Sequence, residues 1–512
     1  MRPTLLFLLG SLALAQGFLA STPLGRAEGR WEDGAIAFYG LPYAEAGRFQ
    51  APRPLKVWPP GVGREKVACP QAFGITAAFG SPIPEEREEC LVLNIFLPQA
   101  LPPPEGFPVM VYLHGGGFGS GSAGEPLYGG HHLAAQGVVV VVPNYRLGPL
   151  GFLALPALAR EDPKAVGNYA LLDLLEALRF VQGYIRYFGG DPGNVTLFGE
   201  SAGGMLVCTL LATPEARGLF HRAILQSGGC GYVRPLEGDF PKGEAWARAR
   251  GCPPEDLGCL RALPLDRLLP RLSPLSLQDL DLGGRISDFL ESPFKPHLSP
   301  LLPEDPRQVL ARGGARRIPL IAGANLEELD LPALRGLWGP GSWGEFQARL
   351  EAELPKEKAQ ALLQGYRARF SSPALAYGAL ETDRILLCPS LKAARLQAPH
   401  APAYAYLFTY RVPGLGGLGA FHGLELAPLF GHLRVPPFLP LFLTQEAYEG
   451  ARRLGERMRR YWTSFAKEGE PRGWPRWPLY REGYLLLLDE PPGLLPDPYE
   501  ERCGVLEALG LL

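Results

Sequence analysis

The stretch "VTLFGESAGG" (Val195–Gly204) ends an apolar, β-branched run with Gly-Glu-Ser-Ala-Gly, and Ser201 at its centre is the first residue that could do chemistry. Gly199 and Gly203, two residues to either side, permit a sharp strand-to-helix bend. Such a bend lifts the hydroxyl clear of a sheet and aims the following N–H groups at an anion. A serine hydroxyl is a poor nucleophile, so acyl transfer needs a base, a carboxylate to orient that base and donors for the oxyanion. His422, in the turn-like "GAFHGLELAPLFG", supplies the imidazole. Glu327, Glu328 and Asp330 follow the apolar run "IPLIAGAN" and lie between serine and histidine in chain order, the order expected when the serine sits on such a bend. "YLHGGGFGSG" follows the apolar run "PVMVYL", and its three consecutive glycines, Gly115 to Gly117, can present bare N–H groups to a ligand. A phosphate loop competes for that stretch, but the Gly-Lys-Ser/Thr ending it requires is absent.

These features need a sheet whose strands end side by side. The runs "PVMVYL", "GVVVVVPNY", "NVTLFGE", "RRIPLIAGAN", "AYAYLFTYR" and "GYLLLLD" read as strands buried on both faces, while "YALLDLLEALRFVQGYIRYFG" has helical spacing. Apolar strands alternating with helices predict an α/β protein with a central, mostly parallel sheet covered on both faces, and its chemistry lies beyond the carboxyl ends of the strands. Shorter alternating segments between Gly25 and Leu97 predict an antiparallel N-terminal edge. Val233 to about Arg317, rich in Pro, Leu and Arg, reads as helical excursions over the sheet. There is no internal repeat or low-complexity linker, so residues 16–512 are expected to form one catalytic domain.

Composition narrows the function classes. The 512 residues carry a net charge of −2, which gives no electrostatic case for nucleic acid or an anionic membrane. "MRPTLLFLLGSLALAQ" combines Arg2, an apolar core and an Ala13-Leu14-Ala15 cleavage pattern. Residues 1–15 are therefore expected to be a cleaved signal peptide, too short to span a bilayer, on a secreted or periplasmic protein without a stable membrane anchor. Export makes disulfides possible for the eight cysteines, although spacing alone does not choose their pairing. No zinc-type spacing accompanies them, and the adjacent His131 and His132 point apart, so no metal is expected.

The chain resembles the type-B carboxylesterases, the α/β-hydrolase family that includes the cholinesterases and the non-catalytic neuroligins. "FGGDPGNVTLFGESAGG" matches the family's nucleophile signature, and "EECLVLNIFLP" resembles its second signature, departing at Glu89 and Val92. "NYRLGPLGFL", "GNYALLD", "AILQSG" and "GAFHGLELAPLFG" follow in the family's order. The resemblance implies Ser201 as nucleophile, His422 as general base and Glu328 as the orienting acid, three residues after Asn325. Leu329 stands where the family has glycine. It further implies Gly116, Gly117 and Ala202 as oxyanion donors, with Glu200 and Ser227 around the triad and His114 structural. The implied disulfides are Cys69–Cys90, Cys252–Cys259 and Cys388–Cys503, with Cys208 and Cys230 free. Arg48–Glu88 and Arg146–Asp173 are the implied internal ion pairs.

The expected activity is serine-dependent hydrolysis of a small-molecule carboxylic ester through an acyl-enzyme, without metal or cofactor. A neuroligin-like binding protein is the rival from another class, and such proteins lack the nucleophile that this chain keeps. A lipase or carbamate hydrolase is the rival among enzymes. A cholinesterase is disfavoured, because the loop between Cys69 and Cys90 contains no tryptophan, only Phe73 and Phe79, and a quaternary ammonium site needs an aromatic box. In place of the family's Val-Asp-Gly turn the chain has "PHLSPLLP" (Pro296–Pro303), a stretch that bears on the shape of the substrate pocket. The sequence carries no signal for oligomeric state.

Overall fold

The valine run shows how the sheet is built. Val139 and Val141 enter one buried cluster, while Val140 and Val142 enter another on the opposite face. Val109, Val111 and Leu113 likewise separate from Met110 and Tyr112. Period-two alternation with both faces apolar is what a strand covered on both sides requires. The structure is a computed structural model that describes residues 17–72, 83–270, 292–329, 339–414, 416–434 and 440–512. The expected signal peptide, Phe73, Phe79 and Asp330 lie outside the described residues.

The main sheet has twelve strands: β1 (Phe18–Thr22), β2 (Gly25–Glu32), β3 (Ala35–Pro42), β4 (Val92–Pro98), β5 (Phe107–Leu113), β6 (Val139–Pro143), β7 (Gly190–Glu200), β8 (Arg222–Gln226), β9 (Leu320–Asn325), β10 (Ala403–Phe408), β11 (Tyr484–Leu488) and β12 (Gly493–Pro496). Their spatial order is β1-β2-β3-β4-β6-β5-β7-β8-β9-β10-β11-β12. From β6 to β11 every pairing is parallel. β2, β3 and β4 form the antiparallel edge expected between Gly25 and Leu97, β1 extends it, and β12 closes the other side antiparallel.

Helices α1 (Tyr169–Tyr184) and α2 (Ala202–Ala212) cover one face, burying residues such as Leu174, Leu178 and Leu206. Helix α3 (Pro373–Thr382) packs on the same side. Helices α4 (Leu426–Phe430) and α5 (Gln445–Glu468) cover the other face, where α5 contributes Leu454, Met458, Trp462 and Phe465. Short helices at Leu236–Ala249, Leu257–Ala262 and Leu265–Leu268 account for part of the irregular Pro-rich region. No described helix is long and apolar enough to cross a membrane.

Both ion pairs implied by resemblance are present. Arg48 grips Glu88 through two bonds of 2.6 Å, and Arg146 holds the fully buried Asp173 through Nε at 2.8 Å and Nη2 at 2.7 Å. The three expected disulfides form as well. The expectation of free Cys208 and Cys230 is corrected, because they form a fourth disulfide. Cys208 on α2 lies 5.5 Å, Cα to Cα, from Cys230 in the loop that follows β8, within bonding range. Parallel pairing of β7 with β8 brings that loop against α2, a proximity that the family's pairing pattern does not encode.

Candidate active site

Ser201 stands between the last residue of β7 and the first of α2, with φ 55° and ψ −127°. A non-glycine residue rarely adopts positive φ, and strain of this kind is retained where the surroundings impose it. Two contacts impose it here. The Ser201 N–H donates to Gln226 O at the end of β8 (2.9 Å). A Cβ on Gly203 would lie 2.0 Å from Leu113 O, so only glycine lets α2 start this close to β5.

β5 and β7 are neighbours, with Gly199 paired to Leu113, so the glycine loop after β5 lies beside the serine. A Cβ on Gly115 would come within 3.0 Å of Ser201 Cβ and 2.6 Å of Glu200 Oε2. Gly116 and Gly117 both have positive φ, 111° and 61°. Among the described residues no protein acceptor takes the N–H of either glycine, and Ala202 N–H, in the first turn of α2, is also unpaired. His114, beside this loop, is buried and stacked on Tyr145 with ring centroids 4.5 Å apart. Burial lowers its pKa to about 4, which suits a neutral, structural imidazole.

His422 follows β10 and is held from beneath by Glu328. Its Nδ1 lies 2.6 Å from Glu328 Oε2, and its backbone N–H donates to Glu328 O at 3.0 Å. The other carboxylate oxygen of Glu328 accepts the Asn325 N–H at 2.7 Å. A bond to a carboxylate on Nδ1 fixes the tautomer with Nε2 free to accept. Nε2 faces Glu200 Oε1 at 3.2 Å, and among the described residues no hydrogen bond joins it to Ser201. Leu329 leaves the turn intact: its N–H donates to Thr382 Oγ1 at the end of α3, and its side chain is exposed.

Glu327 turns the other way. Its carboxylate accepts the Ala420 N–H at 2.6 Å and pairs with Arg411. The site therefore brings Ser201, Glu328, His422, Gly116, Gly117 and Ala202 to adjacent strand ends, whereas Glu327 bonds the backbone of Ala420 and not the imidazole.

A second set of buried groups escaped the sequence reading. Glu425, in the first turn after His422, accepts from Asn325 Nδ2 at 2.7 Å and from Gln226 Nε2 at 3.3 Å. Trp462 Nε1 of α5 donates to Gln226 Oε1 at 3.0 Å. For Gln226 and Glu425 the only sequence signal is position inside "AILQSG" and "GAFHGLELAPLFG". Three buried carboxyl groups thus surround one imidazole. Burial raises the pKa of Glu200, a shift that His422 opposes and Glu425 and Glu328 reinforce. Burial, then Glu328, raises that of Glu425. Burial disfavours a charge on His422, but Glu200 and Glu328 outweigh it and raise the imidazole pKa.

A mostly parallel twelve-stranded sheet with a strained serine at the β7–α2 bend defines an α/β-hydrolase. The sequence model of the Carboxylesterase family matches residues 18–504, and the chain belongs to that family. It is 33% identical to the para-nitrobenzyl esterase of Bacillus subtilis, over 94% of this chain and 97% of that protein. It is 33% identical to the liver carboxylesterase of Sus scrofa, over 95% and 93%. Among solved structures, a thermophilic PNB esterase superposes with TM-score 0.81 at 33% identity, covering 95% of this chain and 99% of that one. A Geobacillus stearothermophilus carboxylesterase superposes with TM-score 0.78 at 30% identity, with the same coverage. The protein is an enzyme that hydrolyses carboxylic esters.

Proposed function

We propose that Ser201, His422 and Glu328 form the catalytic triad of a single hydrolase domain spanning residues 16–512. His422 Nε2 takes the Ser201 proton as Oγ attacks the ester carbonyl, while Glu328 holds the imidazole and stabilises its charged form. The N–H groups of Gly116, Gly117 and Ala202 receive the developing oxyanion, and donors of this kind are worth about 10²–10³ in turnover each. The alcohol leaves with the proton from His422. Water then attacks the acyl-enzyme by the same route and releases the acid.

The observation that carries this reading is the 2.6 Å bond from His422 Nδ1 to Glu328. It sits in the same cluster of strand ends as a strained serine and three N–H groups that have no acceptor among the described residues. Catalytic hydrogen bonds are often long or poorly aligned without ligand and tighten around substrate. Small-molecule carboxylic esters are the proposed substrates, by likeness to relatives named para-nitrobenzyl esterase and liver carboxylesterase. Export with loss of residues 1–15 is supported by the Arg2-apolar-Ala15 pattern and by four disulfides.

Stopped-flow release of nitrophenol from a short-chain nitrophenyl ester tests the assignment. Ser201→Ala should abolish the burst with the thermal transition unchanged. Glu328→Gln should lower turnover by on the order of 10⁴, as loss of the orienting carboxylate does in serine proteases. A wild-type burst in Ser201→Ala, or near-normal turnover in Glu328→Gln, removes the corresponding residue from the triad.

A further inference from the structure

His422 sits in a chain segment badly suited to holding a base still. "RVPGLGGLGAFHG" (Arg411–Gly423) contains five glycines, Gly414, Gly416, Gly417, Gly419 and Gly423, and only five other residues between the first of them and the last. Glycine carries more conformational freedom than any other residue, and Gly414, Gly419 and Gly423 use positive φ (81°, 69° and 76°). Something outside this segment must fix it.

The fixing contacts come from the turn after β9. Asn325 Nδ2 donates to Phe421 O at 2.7 Å. Glu327 N–H donates to Ala420 O at 3.1 Å, and Ala420 N–H returns to Glu327 Oε2 at 2.6 Å. His422 N–H donates to Glu328 O at 3.0 Å. Ala420 is fully buried, and Glu327 is only 7% exposed. Without the carboxylate the Ala420 N–H is a buried donor with no acceptor, which a fold avoids by moving the chain or admitting water. Arg411, half exposed, pairs with the second oxygen of Glu327 from the solvent side.

We propose that Glu327 is a positioning residue for catalysis: its carboxylate clamps Ala420, two residues before His422, and thereby sets where the imidazole stands relative to Ser201. Adjacent carboxylates divide the work, with Glu328 holding the ring and Glu327 holding the backbone that carries it. The clamp rests on the triad reading above. Its kinetic signature follows from its acting on the backbone that carries His422. Displacing a base by about 1 Å costs on the order of 10² in turnover, whereas ground-state binding is untouched.

The test measures kcat, KM, thermal midpoint and the downfield proton resonance of the His422 Nδ1–H bond in the full chain. Glu327→Ala should lower kcat by on the order of 10²-fold with KM within about twofold. The resonance should broaden or vanish, and the thermal transition should remain cooperative. Glu327→Gln, which keeps an oxygen for the Ala420 N–H, should retain most of kcat and the resonance. Wild-type kcat in Glu327→Ala overturns the clamp and leaves the triad standing. Absence of a burst in the wild type, or its persistence in Ser201→Ala, overturns the triad reading instead. If Glu327→Ala loses its cooperative transition, Glu327→Met supplies the bulk without an acceptor. Loss of that transition in both variants overturns positioning in favour of a purely structural role.

Discussion

An imidazole ringed by three buried carboxyl groups is biased toward its charged form. His422 keeps 30% of its side chain exposed, yet Glu200 Oε1 lies 3.2 Å from Nε2 and Glu328 Oε2 lies 2.6 Å from Nδ1. Glu200 Oε1 is buried and, among the described residues, accepts no hydrogen bond, so its main electrostatic partner is the ring. A general base must be neutral to accept a proton. Because the pKa of His422 is raised, the neutral fraction appears at higher pH, and the acid limb of kcat/KM should lie above the ordinary histidine value of about 6.5. Removing one carboxylate weakens that bias. Glu200→Gln should therefore move the acid limb to lower pH, read from kcat/KM for a nitrophenyl ester between pH 5 and 9. A limb that stays in place, or moves upward, shows that Glu200 does not act on the imidazole through its charge.

At the scale of elements, the site exists because five parallel strand ends are neighbours. β5 delivers the glycine loop, β7 the serine, β8 the Gln226 carbonyl that holds it, β9 the carboxylate turn and β10 the histidine loop. The spacing of β5 and α2 is the tightest contact in this set. Gly203→Ala would place a methyl 2.0 Å from Leu113 O, whereas a Cβ on Gly204 meets nothing closer than 3.1 Å. Gly203→Ala should cost about 3 kcal/mol, the upper range of overpacking, and most of the turnover. Gly204→Ala should cost clearly less. Urea midpoints of the two variants check this, and equal midpoints would show that the bend is not set by this contact.

Much of this element pattern was legible in the sequence. The runs that became β5, β6, β7, β9 and β10 are continuously apolar because both faces are covered. β1 and β12 were harder to see, since edge strands mix polar and apolar residues. The choice between Glu327 and Glu328 was not legible from local pattern, because both leave the same strand and only the fold shows which side His422 occupies. The Cys208–Cys230 bond is not legible for a related reason: 22 residues apart in sequence, the two cysteines meet through the parallel pairing of β7 and β8.

At the scale of the whole molecule, a histidine cluster links three distant parts of the chain. His131 and His132 open the short helix His131–Ala134, and His432 lies two residues beyond α4. The His432 ring is 5.8 Å from that of His131 and 5.5 Å from that of His132. The β2–β3 hairpin joins them through Tyr39, whose hydroxyl bonds both His131 Nε2 and Glu32. Burial lowers the pKa of His131 and of His132 to about 4, and that of His432 also falls. For His132 the neighbouring His432 and Arg459 add to the effect. A group with a depressed histidine pKa is neutral in the folded protein while the unfolded chain takes up its proton. Its contribution to stability is complete above the ordinary value of about 6.5 and is lost as pH falls from there toward about 4. Glu200, Glu425 and Glu381, raised chiefly by burial, act with the opposite sign over part of this range, so the wild-type curve alone does not isolate the cluster. A difference does. His132→Gln removes one such proton from the unfolded state, and the slope of unfolding free energy against pH near pH 5 should fall by up to about 1.4 kcal/mol per pH unit. Urea unfolding of wild type and variant at pH 7.5, 6 and 5 measures it. Parallel curves across that range would show that His132 is as easily protonated in the folded protein as in the unfolded chain.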